Sequence, residues 1–370
     1  MNGFKSIFIF CLLLIYQCSF TQSEGTPMSD VIDEVPTKPI IQDTLSQDTI
    51  SIIGVGDMMI GTNFPSNDYL PPNDGKDMFN AVSEFLQDAT LTFGNLEGGL
   101  LTGKGQVKQC RNPEVCYAFK SPDHYVHHYK KAGFDVVSIA NNHVGDFGDI
   151  GRKNTVKVLS EAGIHFAGLS DYPYAIFEKD GIKFGFCAFA PNAGTQKIND
   201  YKNAEAIVKH LDSLCQVVIV SFHGGAEGAK RNHITRKKEV FLGEDRGDPY
   251  EFARVVIDAG ADIVFGHGPH LTRAIDLYSN RFIAYSLGNF ATYGRFNLKG
   301  AMGVAPMIKV YTDKNGEFIS AKITPIKQIG EGIPILDESK EAIKQIQYLT
   351  NADIPEAPIK ISDDGMVTRK

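Results

Sequence analysis

The chain has 370 residues and a formal net charge of −7, with 43% hydrophobic and 22% charged residues. That length and composition suit a soluble α/β protein with one large domain or two smaller ones. The acidic balance excludes a general nucleic-acid binder, which needs a basic footprint.

Lys5 precedes an apolar run, Ile7 to Tyr16, that is too short to span a bilayer well. Small or polar residues follow, so residues 1–21 read as a secretory signal and the chain as exported, to the periplasm or cell envelope. Cys18 leaves a lipoprotein anchor as the alternative, although Tyr16-Gln17 is a poor match to the small residues such an anchor needs. Residues 22–48 are rich in Thr, Ser, Pro, Asp and Glu without periodicity and read as a linker.

An alternation of strands and helices then begins. Ile50 to Val55 is a predicted strand ending in Gly56-Asp57, and Met78 to Ala89 a helix with Met78, Phe79, Val82, Phe85, Leu86 and Ala89 on one face. Leu91 to Phe93 is a strand ending at Gly94-Asn95-Leu96-Glu97. Cys110 and Cys116 flank a short loop, RNPEV; an oxidising compartment would pair them, and otherwise they are free thiols. A helix over 122–132 leads into Val136 to Ala140, a buried-strand pattern that stops at Asn141-Asn142-His143. There the asparagines either cap the following helix, 150–162, or meet a ligand.

Strands are predicted at 164–168 and 182–190, and a helix at 204–214. Val217 to Phe222 is an apolar strand ending in His223-Gly224-Gly225. A polar excursion follows, then a helix over 250–259 and a strand over 261–265 that ends in Gly266-His267-Gly268-Pro269-His270. Strands at 281–287 and 307–312 come next, the latter paired with 317–326 across the hairpin signal Asp313-Lys314-Asn315-Gly316. The core domain thus runs over 49–330, and residues 331–370 read as a weak helix and a polar tail. Cys187 and Cys215 read as inert core residues.

Five strands therefore end in residues with metal-binding chemistry: Asp57, Glu97, Asn142 with His143, His223, and His267 with His270. A mainly parallel sheet brings strand ends to one rim. Divalent cations take that mixture of carboxylate, amide oxygen and imidazole. Competing motifs fail: Gly54-Val55-Gly56 lacks the third glycine of a dinucleotide fingerprint, no Walker A sequence occurs, Ser286 is not in a GxSxG elbow, and HGGAE at 223–227 is not HExxH. The basic group Lys230, Arg231, Arg236, Lys237 and Lys238 is either a solvated loop or a flap for a polyanion. The stretch GEDRGD, with Glu244, Arg246 and Asp248, is either a turn braced by ion pairs or an arm reaching the site.

GDMMIG at 56–61, NLEGGL at 95–100, AGFDVVSIANNHVGDFG at 132–148, HGGAEG at 223–228, AGADIVFGHGPHLTRA at 259–274 and IAYSLGNF at 283–290 together resemble the bacterial capsule-synthesis CapA family. That family is associated with poly-γ-glutamate biosynthesis and belongs to the calcineurin-like metallophosphoesterase superfamily. The resemblance implies an α/β/β/α sandwich of two mixed sheets, where strand order alone suggests a single doubly wound sheet. It implies a divalent metal centre (Mn, Zn, Fe or Mg, one or two ions) held by Asp57, Glu97, Asn142, His223, His267 and His270, with His143 protonating the leaving group. Asn95, Glu227, Arg246 and Arg273 are assigned to substrate.

Departures from the superfamily pattern are Met59 where a histidine follows the first aspartate, Asn95 and Glu97 in place of the second aspartate, and two residues between the last histidines. The implied partners are an anionic polymer or its precursor and the membrane proteins of capsule synthesis, without nucleic acid. Two roles follow: a metal-dependent hydrolase of phosphoesterase type, or a non-catalytic accessory of capsule export that binds polyanion on the same rim.

Overall fold

The computed structural model describes residues 49–110 and 116–370. The expected signal (1–21), the linker (22–48), Cys18 and the loop 111–115 lie outside the described residues.

Two large sheets carry the fold. The first has ten strands and is mixed. Ile50–Met59 lies at its centre, parallel to Leu91–Leu96 on one side and antiparallel to Val304–Thr312 on the other. Val136–Ser138 and His165–Ala167 extend the parallel side. Phe318–Ile329 extends the antiparallel side across the expected hairpin, where the Asp313 carboxylate accepts from the Asn315 and Glu317 amides. The second sheet has six strands, with Ile182–Phe189, Val217–His223, Ile263–His267 and Arg281–Ala284 parallel at its centre. Antiparallel strands Tyr174–Lys179 and Ile275–Tyr278 close its edges.

Helices cover both outer faces. α1 (Ser83–Leu86), α2 (Val126–Ala132) and α3 (Gly148–Glu161) pack on the ten-stranded sheet, through Leu86, Val126, Tyr129, Val156 and Leu159. α4 (Tyr201–Asp212) and α5 (Pro249–Asp258) pack on the six-stranded sheet, through Val208, Leu211, Phe252 and Val256. The result is the α/β/β/α sandwich. Between the sheets, the Phe93 ring lies 5.4 Å from both Phe186 and Phe265. A fully buried aromatic of this kind contributes roughly 1.5–3 kcal/mol over its exposed state.

Three expectations are corrected. Strand order alone suggests one sheet; there are two, because the alternation runs on unbroken when the chain leaves the first sheet after Ala167 and enters the second at Tyr174. The helix expected over 78–89 is a series of turns with only Ser83–Leu86 helical. Of the expected face, Met78, Phe79, Val82 and Leu86 are buried, Ala89 is half-buried and Phe85 is exposed, and no side chain caps the helix start. The expected C-terminal helix is present as α6 (Glu341–Asp353), which buries Ile343, Ile346 and Leu349, but the expected polar tail beyond it is folded: Ile359–Ile361 with Met366–Arg369 joins the edge of the ten-stranded sheet. Those strands are three and four residues long, too short to show a period in a charged context. Among the described residues no helix is long and apolar enough to cross a membrane. Cys110 and Cys116 form a disulfide, Cys187 is buried, and Cys215 is a half-buried free thiol.

Candidate metal centre

Strand ends bring the chemistry together. In the ten-stranded sheet Asp57 and Asn95 are register partners on adjacent parallel strands, with Glu97 just beyond. Asn141, Asn142 and His143 follow the next strand. In the six-stranded sheet His223 and His267 are register partners, and His270 lies three residues on. Close backbone approach sets the first of these positions. A Cβ on Gly56 would lie 2.0 Å from the Gly288 carbonyl oxygen, which instead accepts the Asp57 amide at 2.8 Å.

Asp57 organises the histidines. Its two oxygens accept from Nδ1 of His267 at 3.2 Å and Nδ1 of His270 at 2.9 Å. With Nδ1 engaged, each ring presents Nε2 to the pocket, the arrangement in which a carboxylate orients a metal-binding imidazole. His270 holds a left-handed φ of 58°, a conformation costing a non-glycine residue about 1–3 kcal/mol, and Asn289 Oδ1 at 3.0 Å from Nδ1 helps fix it. One oxygen each from Asp57 and Glu97 and one ring nitrogen of His270 lie within 4.8 Å of one another. That spread suits ligands around one cation, whose bonds to oxygen and nitrogen run about 2.0–2.2 Å.

The unsatisfied atoms point the same way. Glu97 Oε1, Asn142 Oδ1, both ring nitrogens of His223 and Nε2 of His267 are buried with no hydrogen-bond partner among the described residues. Each such atom costs roughly 1–3 kcal/mol if left alone. Carboxylate, amide oxygen and imidazole are the donors that divalent transition metals accept together, so these residues fit a cation.

Charge divides the ligands of the metal-free site: His223 is ready to bind a cation, whereas His270 must give up a proton to do so. Burial, and then the Asp57 carboxylate, push Glu97 well above the usual carboxylate range. Burial works against the His270 cation, but Glu97 and Asp57 overcome it and raise that ring to about 10. Burial would also raise Asp57, yet the bonds from His267 and His270 hold it well below its ordinary value. Burial, and then Arg246, hold His223 well below the usual imidazole range, leaving it neutral as a ligand must be.

His143 sits apart from that cluster with its own partner. Its Nδ1 is 2.7 Å from Asp146 Oδ2, while Nε2 faces Glu97 Oε1 at 4.0 Å, and its ring lies 4.5 Å from that of Phe119. Burial lowers its pKa, with Asp146 opposing. Asp146 was not singled out from sequence, although its place three residues after His143 was the available signal. Asn141 is a second positioning group: its Nδ2 donates to Asn95 Oδ1 and the Leu96 carbonyl, and its Oδ1 accepts the His143 amide.

The residues assigned to substrate divide. Glu227 and Arg246 line a cleft of about 720 Å³ that opens over His143 and His270. They are paired with each other at 2.9 Å, and Arg246 also meets Glu244 at 3.2 Å. The GEDRGD stretch is thus braced by ion pairs and forms part of the cleft wall, while Asp248 caps α5. Asn95 is fully buried, donating to Asp57 and Glu97, so it spaces the carboxylates and does not face substrate. Arg273 is not a cleft residue: it is buried and makes a two-pronged pair with Glu239 at 2.9 Å on each arm. Its position in sequence could not reveal a partner 34 residues away. In the basic group, Arg236 is tied to Glu356 and Lys238 to Asp245.

Two mixed sheets meet at a rim of carboxylates, amides and imidazoles, so the chain is an α/β/β/α sandwich with a candidate metal centre. Residues 51–293 match the family described as bacterial capsule synthesis protein PGA_cap, and the chain belongs to that family. It is 29% identical over 258 residues to the capsule biosynthesis protein CapA of Bacillus anthracis, covering 64% of this chain and 58% of that one. It is 26% identical over 269 residues to the PGA biosynthesis protein CapA of Bacillus subtilis strain 168, covering 67% and 64%. The match therefore spans less than two thirds of either relative. Among solved structures, a 5'-nucleotidase precursor from Thermus thermophilus superimposes with a TM-score of 0.40 at 12% identity, covering 82% of this chain and 59% of that one.

Proposed function

We propose that this protein is an exported, capsule-associated hydrolase of phosphoesterase type that acts on an anionic polymer, poly-γ-glutamate or its phosphorylated precursor, at a divalent metal centre. The observation that carries the reading is the set of buried ligand atoms of Glu97, Asn142, His223 and His267 that have no hydrogen-bond partner among the described residues, beside the His143–Asp146 pair. The name of the Bacillus subtilis relative, PGA biosynthesis protein, supports the polymer, and that of the Bacillus anthracis relative supports the capsule. The Cys110–Cys116 disulfide supports an oxidising compartment, and with it export and work alongside the membrane proteins of capsule synthesis.

Asp57, Glu97, Asn142, His223, His267 and His270 would hold one or two ions. When bound, such an ion supplies Lewis-acid activation of water and of a phosphoryl oxygen. The chain's own groups do the rest. Asp146 accepts from Nδ1 of His143, which fixes the ring and stabilises its cation, so that Nε2 can hold a proton for the leaving oxygen. The Phe119 ring against His143 keeps that face of the cleft dry. Asn141 and Asn95 hold the carboxylates and the His143 loop in place.

The test is hydrolysis of a generic phosphodiester with Mn²⁺ by the full chain, with metal content measured in parallel. His143→Ala should lose roughly 10²–10⁴ in rate and Asp146→Asn roughly 10–100-fold, both with wild-type metal content. A second reading, a non-catalytic polyanion-binding accessory, is favoured by Met59, a buried thioether where the superfamily places a histidine. Stoichiometric metal with wild type as inactive as His143→Ala would put that reading first.

A further inference from the structure

Most basic side chains around the cleft are already neutralised. Lys108 pairs with Asp146 at 2.6 Å, and Arg246 with Glu227 and Glu244. Arg295 lines the same cleft and has no ion pair or hydrogen bond among the described residues. Aromatic faces hold it instead: its guanidinium carbon lies 5.1 Å from the ring centre of Tyr69 and 5.1 Å from that of Tyr117. Cation–π contact positions a guanidinium without using its N–H donors, which lie in the guanidinium plane. The fork is therefore held but unspent.

Its neighbours tie it to the metal centre. The Phe296 ring is 5.5 Å from His270 and 5.0 Å from Phe119, and Phe119 is 4.5 Å from His143. One residue along the chain spans about 3.8 Å, so Arg295 belongs to the wall that frames both histidines. Among the described residues that line the cleft, the carboxylates are Glu227 and Glu244, both engaged by Arg246. A half-buried guanidinium, fixed in direction and lacking an acceptor, matches an oxyanion, which it binds through two parallel bonds.

We propose that Arg295 is the substrate-anion anchor of this cleft, gripping a carboxylate of the γ-linked glutamate chain, or a phosphate of its precursor, beside the group presented to the metal centre. The proposal rests on the anionic-polymer reading above. Tyr69 and Tyr117 act as positioning residues, and Tyr117 directly follows Cys116 of the Cys110–Cys116 bridge.

The test compares the full wild-type chain with Arg295→Gln and Arg295→Lys by calorimetry. One arm uses a γ-linked oligoglutamate and the other inorganic phosphate. Arg295→Gln should weaken the recognised probe on the order of 10- to 100-fold, the value of a charge-assisted contact. Arg295→Lys, which keeps the charge and loses the fork, should fall between. Melting temperature and metal content should not move. Loss confined to oligoglutamate assigns the anchor to carboxylate, and loss confined to phosphate assigns it to the precursor. Binding of both probes by Arg295→Gln as by wild type overturns the anchor and leaves the polymer reading standing. Failure of wild type to bind either probe overturns the polymer reading, and the anchor falls with it.

Discussion

His223 offers the sharpest separation between a ligand and a structural histidine. It is fully buried, neither ring nitrogen has a partner among the described residues, and burial with Arg246 keeps it uncharged. In metal-free protein this ring is a liability of roughly 1–3 kcal/mol, the cost of a buried polar group left unpaired. His223→Leu removes that cost with a side chain of similar bulk, so in EDTA the variant should equal or exceed wild type in urea unfolding, by about 1–2 kcal/mol. With free Mn²⁺ at about 100 times its dissociation constant, wild type should gain about 2.7 kcal/mol and the variant much less. The order of stability therefore inverts between the two buffers. A structural histidine predicts the opposite: a variant less stable in both, with no dependence on metal. Equal metal stabilisation of the two proteins would refute the assignment.

Two further measurements probe the frame. Glu239→Gln leaves the Arg273 guanidinium buried without its counter-charge, and the expected loss is about 3–5 kcal/mol in denaturant unfolding; a loss near zero would mean the pair does not brace the fold. Asp262 is raised to about 7, chiefly by burial, with the Val218 amide and Arg281 opposing. Its folded pKa thus exceeds the unfolded value of about 3.9, so its contribution is fully present below about pH 4 and is lost as pH rises toward about 7, a swing of a few kcal/mol. Asp262→Asn, which keeps an acceptor for the Val218 amide, should match wild type at the acid end and gain on it steadily up to neutrality; parallel stability curves would refute this.

The rim was legible because each of its residues stands where an apolar run stops, and parallel strands carry such stops to one edge. Asp57, Glu97, His267 and His270 were found that way, and the structure brings them within bonding reach of one another. What distinguishes Arg246 from Arg273 is not written locally. Both follow a polar turn, but one faces Glu227 on the cleft wall and the other a buried Glu239, and only the tertiary fold decides. Arg295 escaped notice because its partners, Tyr69 and Tyr117, are distant in sequence and neutral, so no charge pattern marks them. The family resemblance supplied the second sheet; strand order alone hid it for a related reason, because a change of sheet leaves no trace in hydrophobic periodicity when strand and helix lengths stay the same.

The departures from the superfamily pattern have a physical reading in the same geometry. Asn95 occupies the register position opposite Asp57, where a carboxylate is expected, and its amide donates to Asp57 Oδ1 at 2.8 Å and to Glu97 Oε2 at 3.5 Å. A carboxylate there would bring a third negative charge into a pocket that already pushes Glu97 far up, at about 4 kcal/mol for each like pair 4 Å apart in an effective dielectric of about 20. The amide turns that repulsion into two hydrogen bonds. The acidic ligand is moved two residues along, to Glu97, whose longer side chain returns to within 3.5 Å of His270 Nε2. The second carboxylate is therefore displaced along the strand end, not lost. Met59 is different in kind, because a buried thioether stands where the superfamily pattern has an imidazole. On the proposed metal reading, these two substitutions together favour one strong ion position, with any second position weaker.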